Sequence, residues 1–509
     1  MTTLLNTLQP GANGSPVRLP KIIQGGMGVA VSNWCLARTV SAYGQLGVVS
    51  GTGIDTVLVR RLQDGDVGGH LRRAMEHFPF PDIASEALKR YFLPDGRPPG
   101  KPYARLPLPR IEGSPLQRGL IMLANFSEVF LAKEGHANPV GINLLTKIQM
   151  PNLASLYGAM LARVDYVLMG AGIPREIPHA LDELSQHRPA SLKADVVGGR
   201  RDEPVTFDLD PAEFGGPQLE PLARPAFLPI VSSHSLATML LKKARGPIQG
   251  FVVEAPTAGG HNAPPRGGGT LDERGQPVYG ARDEVDFGVM RELGVPFWLA
   301  GGAGSPQGLK RALAEGAAGI QVGTAFAYCE ESGLAPELKR SVIEQTLGAG
   351  TDVLTDARAS PTGYPFKVVS LAGSNSEREQ YEERRRVCDL GYLREVYTTP
   401  SGGLGFRCAS EPLDAYLAKG GEMAETVGRK CLCNALMANI GLPQVQKGGD
   451  VERPLLTSGD DMEVIRRLLG PERDSYSATD VVDYLLDDAP RAASGTPAAV
   501  ADEEVLSTS

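Results

Sequence analysis

The sequence has little of what nucleic-acid binding, membrane spanning or disulfide stapling would need. Lys and Arg total 51 against 59 Asp and Glu, a formal net charge of −8. Phosphate backbones are met by clustered cations, so nucleic acid is excluded as a partner. No apolar run approaches the roughly 20 residues that cross a bilayer, which excludes a membrane helix. The opening MTTLLNTLQPGANGS has no basic stretch ahead of an apolar core, so no secretory signal is expected. Only 6 cysteines occur in 509 residues. Without an export signal they are expected to be reduced thiols in a cytoplasmic protein. Histidine is equally scarce, at 7, so each one can be placed.

What is present is glycine, and much of it ends short apolar runs. Eight such runs recur: IIQGGMG from Ile22, LGVVSGTG from Leu46, VGINLL from Val140, YVLMGAG from Tyr166, AFLPIVSS from Ala226, GFVVEAPTAGGH from Gly250, FWLAGGAG from Phe297 and GIQVGTAF from Gly319. Short, nearly uncharged runs rich in Val, Ile and Leu read as strands buried on both faces of a parallel sheet. Helical stretches separate them. One is PQGLKRALAEG, with Ser305 as N-cap, Pro306 in the first turn and Gly316 at the end. Eight such units predict an α/β fold, a (β/α)8 TIM barrel, whose site lies in the loops at the C-terminal strand ends.

A barrel takes about 250 residues, so this chain has material to spare. We assign the barrel to residues 18–370, with insertions at 65–139 and 188–225. The first insertion holds an apolar helix, Leu116–Lys133, expected to cover the barrel. Residues 371–489 form a C-terminal extension, partly helical and cysteine-containing, with Ser477 as N-cap of a last helix. Residues 490–509, rich in Ala and Ser, are expected to be disordered.

The glycines at the strand ends say what the site holds. In barrels the loops after strands 7 and 8 often bind phosphate, aided by a helix N-terminus. Here strand 7 ends in Gly301, Gly302 and Gly304 before the capped helix, and strand 8 ends in Gly323 and Thr324. A phosphate-bearing ligand is expected. Gly25, Gly26 and Met27 after strand 1 offer a floor poor in side chains. Asn143 on strand 3 offers an amide that donates and accepts, and Gly170 closes strand 4. A flat ring system with ring nitrogens and carbonyls, such as a flavin, suits these groups. Spacing alone leaves FMN and other phosphate-bearing ligands open.

Of the histidines, only His234 and His261 fall at C-terminal strand ends. His234 sits between serines at a helix start, which reads as capping. His261 follows Gly259 and Gly260, whose free backbone can bring an imidazole to a ligand. An imidazole can take a proton from a weak carbon acid near neutral pH, so His261 is the candidate catalytic residue. The following loop, 262–282, is long and without hydrophobic period, and is expected to act as a lid.

Together QGGMG, the Glu254–His261 element E-x-x-x-A-G-G-H, LAGGAG and VGTAF resemble the nitronate monooxygenases, formerly 2-nitropropane dioxygenases, over roughly residues 18–370. The resemblance implies an FMN-dependent (β/α)8 enzyme. Gly25–Met27 and Asn143 would contact the ring and ribityl parts of FMN. Gly260, Gly302, Gly323 and Thr324 would surround its phosphate. His261 would remove the α-proton of a nitroalkane, a small-molecule substrate, and dioxygen would complete the oxidation to a carbonyl compound and nitrite. The same elements are similar to those of flavin-dependent enoyl-acyl-carrier-protein reductases. That alternative implies NAD(P)H, an enoyl thioester and an acyl carrier protein as partner. ARASPTGYPFKVV, from Ala357, keeps only a loose likeness to the GRPAR-type loop of relatives. The oligomeric state is left open.

Cys388, Cys408, Cys431 and Cys433 could form a four-thiolate site, but their spacing is irregular and C-x-C is not the usual knuckle. No metal is expected there.

Overall fold

The computed structural model describes residues 17–487 except 201, 447, 471 and 472, together with residues 7 and 8. The tail expected to be disordered lies outside the described residues. Eight strands form the centre: β1 (Ile22–Gln24), β2 (Gly47–Ser50), β3 (Val140–Leu145), β4 (Tyr166–Gly170), β5 (Ala226–Val231), β6 (Phe251–Glu254), β7 (Phe297–Ala300) and β8 (Gly319–Val322). They lie in the order β1-β8-β7-β6-β5-β4-β3-β2, each parallel to its neighbours. A parallel bridge between Ile23 and Leu46, with Leu46 N–H on the Ile22 carbonyl (3.1 Å) and Gln24 N–H on the Leu46 carbonyl (2.9 Å), joins the two edges. The sheet is thereby closed into a barrel.

Side-chain alternation fills it. Ile23, Val48, Tyr166, Leu168, Leu228, Val252 and Trp298 pack inward as one cluster, while Ile22, Val49, Val167, Met169, Phe227 and Phe251 face the surrounding helices. This period of two on every strand is why the runs look uniformly apolar in sequence. Leu19 joins the interior cluster, and the Trp298 indole N–H donates to the Pro20 carbonyl (2.8 Å), so the N-terminal end is shut. Only the glycine-rich end remains open to a ligand.

The helix expected in the first insertion runs Pro115–Lys133 with Ser114 as N-cap. It packs on helices Trp34–Ala42, Ile54–Gln63 and Asn152–Leu161, covering the barrel as expected. After β8 the chain makes an antiparallel hairpin, β9 (Val353–Asp356) with β10 (Phe366–Val369), and then the extension. The extension's last helix, Ala478–Leu486, carries the Ser477–Asp480 capping box. It lies against helices Trp34–Ala42 and Pro306–Ala314. That is where the eighth helix of a barrel belongs. The Tyr43 hydroxyl on Asp483 (2.8 Å) and Lys310 on Asp487 (2.8 Å) hold it there. Among the described residues no helix is long and apolar enough to cross a membrane.

Candidate active site

One cavity of about 260 Å³ opens at the C-terminal ends of the strands. Gly25, Gly26, Met27, Asn143, Gly170, Gly260, His261, Gly301, Gly302, Gly323 and Thr324, the residues singled out from sequence, all line it. Local packing makes glycine necessary at two of these positions. A Cβ on Gly26 would sit 2.3 Å from the Asn143 Cβ. Gly301 turns at φ +83°, where a Cβ would meet the Ala258 nitrogen at 2.9 Å.

Several polar groups on the wall have no protein partner. Asn143 Nδ2 donates to the Gly26 carbonyl (2.8 Å), yet its buried Oδ1 accepts nothing; Gln321 Oε1 on β8 is likewise unpaired. Buried acceptors of this kind cost free energy unless a ligand donor satisfies them. No hydrogen bond uses the Gly302 or Gly304 amide among the described residues. Gly304 directly precedes the N-cap Ser305, whose Oγ accepts from the Gly308 amide (2.9 Å). Among the described residues neither Lys nor Arg lines the cavity, so an anionic group here is met by amides, hydroxyls and the positive end of a helix. This wall fits a flavin mononucleotide: unpaired acceptors for ring N–H groups, and a cation-free amide cradle for a phosphate.

His261 stands at the loop after β6. An antiparallel bridge to Phe366 of β10 fixes its backbone, with Asn262 N–H on the Pro365 carbonyl and Lys367 N–H on the Gly260 carbonyl, both 2.9 Å. The ring packs edge-on against Phe366, with centroids 4.8 Å apart, and Nε2 lies 2.7 Å from Ser360 Oγ. Only its cavity side is open. Burial in the surrounding protein disfavours the charged form and pulls its pKa down to about 4. His261 is thus a neutral imidazole at physiological pH. Glu254 stands at the end of β6 on the same cavity wall, and among the described residues its carboxyl makes no hydrogen bond or ion pair. Burial raises its carboxyl to about 8.

One expectation about a neighbouring segment changes. Loop 262–282 lines none of this cavity; it folds on itself beside it, with the Tyr279 hydroxyl on the Ala263 carbonyl (2.9 Å) and Arg274 paired to Asp352. The roof comes instead from the extension, through Leu393, Leu432, Leu436, Met437, Leu456 and Val464. The Ser-His-Ser stretch is a capped helix start as expected: Ser233 caps the helix that His234 begins, and His234 Nδ1 accepts from the Asp286 amide (3.1 Å). The four extension cysteines do converge on one small pocket. Among the described residues, however, no group of three or more His, Cys, Asp or Glu is arranged to hold a metal ion. Ser360, Gln321 and the roof escaped the sequence reading. Ser360 lies in the 357–365 stretch whose likeness to relatives is loose, and the roof is assembled from residues between 393 and 464, well past the last barrel strand.

Residues 212–363 match the family model described as nitronate monooxygenase. A probable nitronate monooxygenase of Bacillus subtilis (strain 168) is 31% identical over 139 residues, 27% of this chain and 37% of that protein. The match therefore spans well under half of the relative's length. Among solved structures, FabK from Thermotoga maritima aligns at 17% identity over 92% of each chain, TM-score 0.43. The nitroalkane oxidase from Streptomyces ansochromogenes aligns at 16% identity over 92% of this chain and 95% of its own, also 0.43. Residues 212–363, which hold β5 to β8, His261 and both glycine loops, are thus similar to the nitronate monooxygenases.

Proposed function

We propose that the protein is an FMN-dependent oxidoreductase that oxidises nitroalkanes and nitronates with dioxygen to a carbonyl compound and nitrite. The observation that carries this is a neutral imidazole, His261, facing an amide-lined and cation-free cavity within the stretch that matches the family. FMN, when bound, supplies the redox chemistry. The chain's own task is to hold the substrate carbon, exclude water and move one proton. A base at His261 Nδ1 requires Nε2 to keep its hydrogen and donate it to Ser360 Oγ. Ser360 in turn pairs with Thr362 Oγ1 at 2.8 Å, so the tautomer and ring plane are set from behind. The apolar roof keeps bulk water from the carbanion as it forms. The scarcity of cysteine, 6 in 509 residues, suits a cytoplasmic setting.

A second reading is supported by that roof. Six large aliphatic side chains over the site are more than a two- or three-carbon nitroalkane needs, and they suit the chain of an enoyl thioester reduced at the expense of NAD(P)H, delivered by an acyl carrier protein. Purified protein distinguishes the two. Anaerobic bleaching of the flavin by a nitronate, with no response to NADPH, supports oxidation. Fast bleaching by NADPH with turnover of an enoyl thioester replaces it with reduction. A chain that binds no flavin removes both.

A further inference from the structure

The strand-end loops do not close the glycine-rich end of the cavity alone. A segment of the extension, Thr457–Ser458–Gly459, is inserted between the loops after β6 and β8. The Gly260 amide donates to Thr457 Oγ1 (2.9 Å), the Gly459 amide donates to Thr324 Oγ1 (3.0 Å), and the Asp460 amide donates to the Thr257 carbonyl (3.1 Å). Lys367, on β10, pairs with Asp460 Oδ1 (2.5 Å) and pins the segment's far end. The approach is close enough to require glycine: a Cβ on Gly459 would sit 2.9 Å from Thr324 Oγ1 and 3.0 Å from the Thr257 carbonyl oxygen.

Ser458 is at the centre of this arrangement. It is only 4% exposed and lines the cavity. Its hydroxyl approaches Thr324 Oγ1 at 3.5 Å, the far limit for such a contact, and the buried Tyr328 hydroxyl also faces it. A buried hydroxyl without a good partner costs free energy. Next to it Thr324 accepts from Gly459, which leaves the Thr324 hydroxyl hydrogen free to donate. Both hydroxyls belong to residues that line the same cavity as Gly302 and Gly304, whose amides are also unused.

We propose that the C-terminal extension is part of the cofactor site, with Ser458 a direct ligand of the cofactor's phosphate and Gly459 holding Thr324 in position to share it. This rests on the reading of the cavity as a flavin mononucleotide site. The anionic end is then bound by two hydroxyls and the strand-end amides. A charge-assisted hydrogen bond contributes more than a neutral one, so its loss should be visible in binding without any turnover.

The test is equilibrium binding to the full-length apoprotein, read by quenching of flavin fluorescence, with FMN and with riboflavin, which lacks the phosphate. Ser458→Ala should weaken FMN at least about tenfold and leave riboflavin unchanged. An unchanged FMN affinity overturns the proposal, and so does equal weakening of both flavins, which would place Ser458 at the ring or in the fold. Wild-type protein that binds neither flavin overturns the cofactor reading together with this proposal. Wild-type protein that binds FMN tightly, with a Ser458→Ala variant that matches it, overturns this proposal alone.

Discussion

The imidazole of His261 and the hydroxyl of Ser360 meet at 2.7 Å although 99 residues separate them in the chain. The strand β10 brings them together: it pairs with the backbone at His261 through Phe366 and carries the 357–365 loop across the mouth of the barrel. The imidazole is therefore oriented by a segment outside the eight-strand barrel.

With its pKa near 4, His261 is deprotonated across the neutral range. For a neutral nitroalkane, kcat/KM should fall only at low pH, with an acid limb near 4. A limb near the ordinary imidazole value of about 6.5 contradicts the buried base. His261→Ala should slow nitroalkane turnover by about 10²- to 10⁴-fold. It should affect a preformed nitronate much less, because that substrate has already lost its proton.

Ser360→Ala removes the partner of Nε2 but not the base. A neutral hydrogen bond contributes about 0.5–1.5 kcal/mol, so kcat on nitroalkanes should drop by up to about tenfold, with KM little changed. Ser360→Thr, which keeps the hydroxyl, should restore most of it. Loss that threonine does not rescue would mean Ser360 serves packing rather than tautomer control.

The barrel was legible because each strand is apolar on both faces and most are followed by glycine, so the pattern of Ile22–Gln24 or Phe297–Ala300 needs no distant information. The same holds for the wall: Asn143, His261 and Thr324 sit at strand ends that the fold must bring to one rim. The eighth helix of the ring was not legible. Ala478–Leu486 fills that place from the far end of the chain, and its own sequence announces a capped amphipathic helix but not its destination. Ser458 was hidden for a similar reason. In LLTSGDD it looks like a turn, and only the contact with Thr324 gives it meaning.

Glu254 should make stability depend on pH. Its folded pKa of about 8 lies above the usual carboxyl value, so between about 4.5 and 8 the folded chain holds a proton that the unfolded chain releases. Its contribution to stability is therefore full at low pH and is lost as pH rises through that window. Glu254→Gln cannot ionise and should gain on wild type as pH rises from 5 to 8. The gain is about 1–2 kcal/mol once cavity water is allowed for. Urea midpoints at the two pH values measure it; a constant difference between variant and wild type would show a carboxyl that ionises normally.

Tyr392 ties the extension to the barrel at the cavity wall. Its hydroxyl donates to Asp55 Oδ1 (2.5 Å) and lies 2.7 Å from Thr56 Oγ1, both at the start of helix Ile54–Gln63. Burial raises the Asp55 pKa, and the Tyr392 hydrogen bond opposes that rise. Tyr392→Phe removes the opposing donor and leaves a buried carboxylate less well satisfied, a loss of about 1–3 kcal/mol. The sign of its pH dependence follows. Without the donor the folded pKa climbs further above the unfolded one, so ionising Asp55 in the folded chain becomes costlier. The deficit of the variant should be small near pH 3, below the ordinary Asp value of about 3.9, where the carboxyl is largely protonated in both states, and larger at pH 7. Denaturation at both pH values separates this from simple loss of packing, which would produce the same deficit at each.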